Sequence, residues 1–203
     1  MALLKPQTNP DARGTYGAGD RRNPEQQLLA DDVAVRRRAA QALATVATST
    51  PLLLAQLPQE TDAGVRSAIF ESLLMQATPA VVEGLLPLLA CEQAVIRIGV
   101  IEVLQQIPDL VGPHVAVLLG NDSPDVRIFT INILESLRHP GVVSWLIGVL
   151  QTDPHVNVCA TAIDLLGEVG DHSAIAALRA VKARFPNEPF IQFSADVALG
   201  QIE

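Results

Sequence analysis

The feature that most constrains the fold is a leucine that recurs every 30 to 33 residues through the chain. A β-branched residue stands eight positions before each leucine, and we number each repeat from that residue as position 0. Small or apolar residues follow at positions 4, 7 and 11 in most copies, which places them with the leucine on one face of an α-helix. The pattern therefore predicts six amphipathic helices. Their leucines are Leu43, Leu73, Leu104, Leu134, Leu166 and Leu199, and their β-branched residues are Val35, Val65, Ile96, Val126, Val158 and Ile191.

A shorter apolar segment precedes each repeated helix, separated from it by Asp, Asn, Ser or Pro residues that suit helix N-termini. Each copy is therefore expected to be a helix–turn–helix unit that cannot bury its apolar face alone. The sequence predicts an all-α fold, an α–α superhelix of about six helical hairpins stacked over residues 24–203. The preceding segments are 24–30, 51–58, 79–90, 110–119, 141–151 and 172–184.

Residues 1–23 differ in composition from the repeats, with several Pro and Gly residues and few large apolar ones. This composition predicts a flexible N-terminal arm. Its tyrosine, Tyr16, lies among Arg13, Arg21 and Arg22. The alternative is that this arm packs on an acidic surface of its own chain or of a neighbour.

Charge and hydropathy exclude several classes of protein. After the first 50 residues, seven basic and 17 acidic side chains leave a net charge of −10, which disfavours nucleic-acid binding and favours basic protein surfaces as partners. No apolar run approaches the 18 residues of a membrane span, and the N-terminus has no export-signal pattern. Two cysteines form no disulfide framework. We therefore expect a cytoplasmic protein without membrane contact.

The runs DDVAVRRRAAQAL, TDAGVRSAIFESL, SPDVRIFTINILESL and AIDLLGEVGDHSAIAAL resemble HEAT repeats, and most closely the bacterial subtype of phycobilin lyases. The resemblance covers about residues 24–203. It implies a right-handed superhelix with the second helix of each hairpin on the concave side. It also implies a buried ladder of arginines and acids, from which the last two repeats depart with Cys159 and Gln192 in the arginine position. The implied arginines are Arg36, Arg66, Arg97 and Arg127, and the implied acids Asp32, Asp62, Glu92 and Asp122 or Asp125.

Positions 2, 6 and 9 of each repeated helix project away from its core face. Position 6 is polar or acidic until it becomes Val197, and position 2 supplies isoleucines in two adjacent repeats. These residues predict a groove for a basic or amphipathic segment of another protein. The alternative is a solvated face with both isoleucines tucked under their neighbours. The candidate binding residues are Glu71, Ile98, Glu102, Gln105, Ile128, Asn132, Glu135 and Asp164.

The chain contains few residues in patterns typical of catalysis or of metal or cofactor binding. The four histidines lack the spacing of a helical metal pair, and no nucleophile elbow, phosphate loop or dinucleotide fingerprint occurs. Cys159 falls on a core helix and is expected to be a buried hydrophobe, whereas Cys91 falls in a turn. Trp145 is expected to pack against its neighbours. We therefore expect no catalytic residue, metal or cofactor.

These features favour a non-enzymatic scaffold or adaptor that binds a protein segment on its concave, acidic face. The alternative, raised by the resemblance, is a lyase or chaperone that handles a bilin chromophore on a biliprotein. Such a protein would need an apolar cleft and cations for the propionates, whereas aromatic residues make up 3% of this chain. A HEAT-like DNA glycosylase would require a basic concave face.

Overall fold

The computed structural model describes residues 23–137 and 139–202. Over these ranges the chain forms thirteen α-helices and no strand, with short 3-10 turns beside several helices. The predicted arm, residues 1–23, lies outside the described part except for Asn23. The helices are α1 (Pro24–Gln27), α2 (Val33–Leu43), α3 (Thr50–Gln56), α4 (Ala63–Gln76), α5 (Pro79–Leu85), α6 (Ala94–Gln105), α7 (Pro108–Val111), α8 (Val115–Leu119), α9 (Pro124–Glu135), α10 (Val142–Thr152), α11 (Val156–Val169), α12 (Ile175–Arg184) and α13 (Pro189–Ile202).

The turn residues start the helices in the way the sequence predicts. Asp32 caps α2 by accepting hydrogen bonds from the backbone N–H groups of Ala34 and Val35. Asp62 caps α4 in the same way. Pro124 and Pro189 are the first residues of α9 and α13, where a proline costs no intrahelical hydrogen bond.

The helices pair into six hairpins that stack along the chain. The second helices of the hairpins are α2, α4, α6, α9, α11 and α13, and each contacts the next. The first helices run alongside them, with α7 and α8 together filling that place in the fourth hairpin. The architecture is an all-α solenoid of six hairpins, which confirms the predicted fold class.

One hydrophobic cluster runs through all six hairpins. It includes the predicted β-branched residues and leucines of the second helices, which are buried in every inner repeat. Val35 in the first repeat and Leu199 in the last are only half-buried, and each of these two hairpins packs against one other described hairpin. The repeated apolar positions thus join neighbouring hairpins into one body.

Candidate functional site

An arginine at position 1 of the first four second helices folds back onto the turn that precedes its own helix. In each case the guanidinium Nη1 donates a hydrogen bond to the carbonyl oxygen six residues earlier. These arginines therefore hold the turns between paired helices. The N–O distances are 2.9 Å for Arg36 to Ala30, 2.7 Å for Arg66 to Glu60, 2.6 Å for Arg97 to Cys91 and 2.7 Å for Arg127 to Asn121.

Two of these arginines also bind a carboxylate, and that carboxylate belongs to the following repeat. Arg36 binds Glu60 through two N–O contacts of 2.9 Å. Arg127 binds Asp153 through contacts of 2.6 and 3.0 Å, and both side chains are nearly buried. The implied acidic partners were therefore wrong for these two pairs. The expected acids were Asp32, Asp62, Glu92 and Asp122 or Asp125, of which Asp32 and Asp62 cap helices instead.

Position −5, in the turn between the paired helices, decides which layers of the ladder carry a charge pair. Its side chain accepts the backbone N–H two residues later when it is Glu60, Asn121 or Asp153. Only the acidic members of this set add a carboxylate for the arginine of the preceding repeat. Hydrogen bonds from Arg36 lower the pKa of Glu60 to about 2, although burial opposes the shift.

The fifth repeat replaces its missing arginine with one from the next hairpin. Cys159 occupies position 1, is fully buried, and its thiol contacts the carbonyl oxygen of Asp153 at 3.4 Å. Arg184 of α12 donates to that same oxygen at 2.6 Å and also to the carbonyl oxygen of Leu150. Burial raises the pKa of Cys159 to about 11, so the thiol is protonated at neutral pH. This confirms Cys159 as a packing residue.

In the described second helices from α4 onward, no Lys or Arg is present apart from the ladder arginines. We call the exposed residues of α2, α4, α6, α9, α11 and α13 the second-helix face. From α4 onward, the Lys and Arg residues of these helices are Arg66, Arg97 and Arg127, all of them ladder residues. From α4 to α13 the face is therefore negatively charged, whereas α2 exposes Arg37 and Arg38. Its exposed carboxylates include Glu71, Glu102, Glu135, Asp164 and Glu168.

Three of these carboxylates border a cleft between α9 and α11. The cleft has a volume of about 230 Å³, and Glu135, Asp164 and Glu168 line it together with Asn132. Partial burial raises the pKa of Asp164 and Glu168 adds to the rise, whereas a hydrogen bond with Ser194 opposes it. The cleft is large enough for a single side chain, and its lining favours a cationic one.

Of the eight predicted binding residues, some are exposed to solvent and others pack against neighbouring helices. Ile98 is 55% exposed, but Ile128 is half-buried and packs against the core. The expectation of two exposed isoleucines is therefore wrong for Ile128. Gln105 donates to the backbone carbonyl of Asn132 at 2.9 Å and so joins α6 to α9. The exposed acidic members are Glu71, Glu102, Glu135 and Asp164.

Sequence reasoning missed an apolar stripe on the last helix. Phe190, Phe193 and Val197 are 58%, 68% and 44% exposed. Phe193 and Val197 stand at positions 2 and 6, which are mostly polar or small in earlier repeats. The sequence analysis noted the change at Val197, but it did not extend position 2 to Phe193 of the last repeat. Glu168 was missed because position 10 was not assigned to the exposed side.

The described residues contain no cluster of three or more His, Cys, Asp or Glu side chains that could hold a metal ion. His139 stacks on Trp145 with ring centroids 4.7 Å apart, and Trp145 packs partly against the core. None of the described helices is both long enough and apolar enough to cross a membrane. Within the described ranges, therefore, the exposed second-helix face is the main candidate site.

Several solved structures are similar to this chain although they share little of its sequence. Mini spindles TOG3 of Drosophila melanogaster is 15% identical, with a TM-score of 0.55 and coverage of 89% of this chain and 93% of that one. The complex of CpcE and CpcF of phycocyanin lyase from Nostoc sp. PCC7120 is 15% identical, with a TM-score of 0.36 and coverage of 100% and 98%. A designed armadillo repeat protein is 16% identical, with a TM-score of 0.39 and coverage of 89% and 98%.

Sequence comparison identifies the repeat more specifically. No curated protein matches the chain significantly. The sequence profile of HEAT repeats matches residues 25–105 and 113–190, which together make up most of the chain. The match includes turns and second helices in which the arginine ladder lies. The chain belongs to the HEAT-repeat family.

Proposed function

We propose that this protein is a non-enzymatic scaffold that binds a basic or amphipathic segment of another protein across its second-helix face. The observation that carries the proposal is the separation of charge within the second helices. Their arginines from α4 onward are engaged by the turns, while carboxylates of successive repeats stay exposed. A row of exposed negative charges attracts cationic segments and orients them on approach.

The candidate residues would have different roles in such a complex. Glu71, Glu102, Glu135 and Asp164 would steer a cationic segment along the stack. Ile98, which is exposed on α6, would supply an apolar contact in the middle of this row. The proposed binding surface also includes Gln105, Asn132 and Ile128, which border the row and are partly buried.

Typical free energies of single contacts indicate that apolar contacts would provide most of the affinity. An exposed ion pair contributes about 0.2–1 kcal/mol. Full burial of an isoleucine contributes about 1.5–3 kcal/mol. We therefore expect the charges to set the rate and direction of encounter, and the apolar contacts to set the lifetime of the complex.

The test is affinity purification of the tagged protein from its native cells at low and moderate salt, with mass spectrometry of the bound proteins. We expect a partner that is recovered at low salt and reduced by added salt. Ile98→Asp should lower its recovery about tenfold or more, since a buried aliphatic contact is replaced by a charge. The matched control is Val117→Asp on α8, where the valine is 77% exposed but lies on a first helix.

Two results would contradict the proposal. Recovery that is unchanged by Ile98→Asp but lost in Val117→Asp would place binding on the opposite side of the solenoid. A coloured eluate, or recovery of a biliprotein, would instead favour the bilin lyase or chaperone.

A further inference from the structure

The last helix exposes aromatic side chains in a chain that has few of them. Aromatic residues make up 3% of the sequence, yet Phe190 and Phe193 are each more than half exposed on α13. Together with Val197 they stand at positions i, i+3 and i+7, which share one side of a helix. We call these three residues the α13 stripe. Contiguous exposed apolar surface of this kind marks a site of interaction.

The α13 stripe lies beside the most acidic part of the second-helix face. α13 packs directly against α11, and Ser194, the residue after Phe193, lies close enough to Asp164 to lower the pKa of that carboxyl. Asp164 in turn lines the cleft with Glu135 and Glu168. Packed helices lie about 8–10 Å apart, and the cleft lies between α9 and α11, so the width of α11 separates the cleft from the stripe. One partner helix with a long cationic side chain spans that distance. Two of the three basic residues of α12, Lys182 and Arg184, are bound to Asp196 and to backbone carbonyls.

We propose that the α13 stripe and the α9–α11 cleft together bind one amphipathic helix of a partner protein. Its large apolar residues pack on the stripe, and a Lys or Arg beside them enters the cleft. This inference rests on the proposed scaffold function and deepens it by naming the anchor and the chemistry of the partner. Charge complementarity selects this occupant, because the cleft and its surroundings present carboxylates to any segment that covers the stripe.

The dimensions of the stripe determine the pattern of the partner segment. Seven residues of an α-helix rise about 10 Å, so the stripe presents roughly two helical turns of apolar surface. A partner helix matches it with apolar residues at i, i+3 or i+4, and i+7. The cation belongs on the flank of that helix that faces α11. The proposed anchor is therefore at the C-terminal end of the solenoid, away from Ile98.

The experiment uses a synthetic amphipathic helix of leucine and lysine, about 14 residues long so that it forms a helix on binding. Its affinity for the full chain is measured by fluorescence anisotropy. We expect Phe190→Ser with Phe193→Ser to weaken binding about tenfold or more, because exposed aromatic anchors are common hot spots. Asp164→Asn with Glu168→Gln should weaken it several-fold and reduce its dependence on salt. Val117→Ser removes an equally exposed apolar residue from a first helix and should change nothing.

Three results would overturn the inference. The first is unchanged affinity in the double Phe variant, with circular dichroism confirming that it is folded. The second is equal binding of a peptide in which glutamate replaces lysine. The third is a concentration-dependent dimer of the wild type, seen by analytical ultracentrifugation and lost in the double Phe variant, which would make a second copy the occupant of the stripe.

The inference and the proposed function can fail separately. If the peptide binds and Ile98→Asp abolishes binding while the double Phe variant does not, the scaffold function holds and the anchor on α13 is refuted. If purification recovers no partner that responds to salt or to Ile98→Asp, the scaffold function fails whatever the peptide does. The single variant Phe193→Gln keeps the test valid if the double variant unfolds, since Phe193 is 68% exposed.

Discussion

At the scale of single residues, position −5 of each repeat decides whether a charge pair joins neighbouring hairpins. Each arginine at position 1 donates a hydrogen bond to a backbone carbonyl of the turn before its own helix. It gains a charge partner only where the next repeat supplies an acid. The resemblance to HEAT repeats implied these arginines, which stand at a fixed position relative to the apolar pattern. It did not predict Glu60 and Asp153 as partners, because they lie 24 and 26 residues away along the chain.

The Arg36–Glu60 pair should make stability depend on pH in acid. The pKa of Glu60 falls from 4.5 to about 2 because Arg36 binds the ionised form. Its contribution is complete above pH 4.5 and is lost as the pH falls toward 2. We expect Glu60→Gln to unfold at lower urea than wild type at pH 7, with the difference shrinking as the pH falls below 4.5. Glu83→Gln, an exposed carboxylate on α5, is the control. A difference between wild type and Glu60→Gln that persists at pH 2 would contradict this explanation.

Asn121 offers a test of the ladder geometry. Its side-chain oxygen accepts the N–H of Ser123 at 2.9 Å, as Asp153 accepts that of His155. Asn121→Asp keeps this bond and adds a charge toward Arg97, so it should stabilise the protein by about 0.2–1 kcal/mol in urea unfolding. Asn187→Asp adds the same charge in the last turn, one residue after position −5, where the preceding repeat has Cys159 in place of an arginine, and should not stabilise. Destabilisation by Asn121→Asp would show that Arg97 does not face this position.

At the scale of helices, close contact between second helices depends on small residues facing large ones. A methyl group at Gly99 of α6 would lie 2.3 Å from the ring of Phe70 of α4. The ring fills the space that a side chain at Gly99 would need. The repeat pattern predicts that α4 and α6 are neighbours, but it cannot predict this fit because it depends on the distance between their axes.

Gly99→Ala should therefore destabilise the protein, although alanine is the better helix former. We expect a net loss of about 1–2 kcal/mol, since overpacking costs about 1–3 kcal/mol and helix propensity returns at most about 1 kcal/mol. Gly148→Ala on α10 is the matched control, because a methyl group there meets nothing within 4 Å. It should stabilise by about 0.5–1 kcal/mol. Urea unfolding of both variants measures the difference, and equal shifts would contradict the packing argument.

The candidate site was predictable only in part, and the reason again lies in the packing of helices. Exposure of the acids at position 6 follows from helical periodicity alone. The burial of Ile128 does not, because Ile98 occupies the same position and is exposed. The α13 stripe breaks the polar pattern of the earlier repeats, and its role depends on neighbours that sequence does not place.

At the scale of the whole molecule, stacking puts the exposed positions of successive second helices side by side. A carboxylate that would be an isolated surface charge on one hairpin becomes part of a row. The ladder arginines belong to the same helices, but their guanidinium groups are directed to the turns. The proposed binding surface is thus a consequence of repetition, and no single hairpin contains it.

Neutralising the row of exposed carboxylates tests most directly whether this row binds the partner. One variant combines Glu71→Gln, Glu102→Gln, Glu135→Gln and Asp164→Asn. Its control combines Glu83→Gln, Glu92→Gln, Asp109→Asn and Glu188→Gln, which removes as many exposed charges from first helices and turns. We expect the first variant to lose the salt-sensitive partner in quantitative co-purification, while the control retains it. Equal recovery of that partner by both variants would contradict the account.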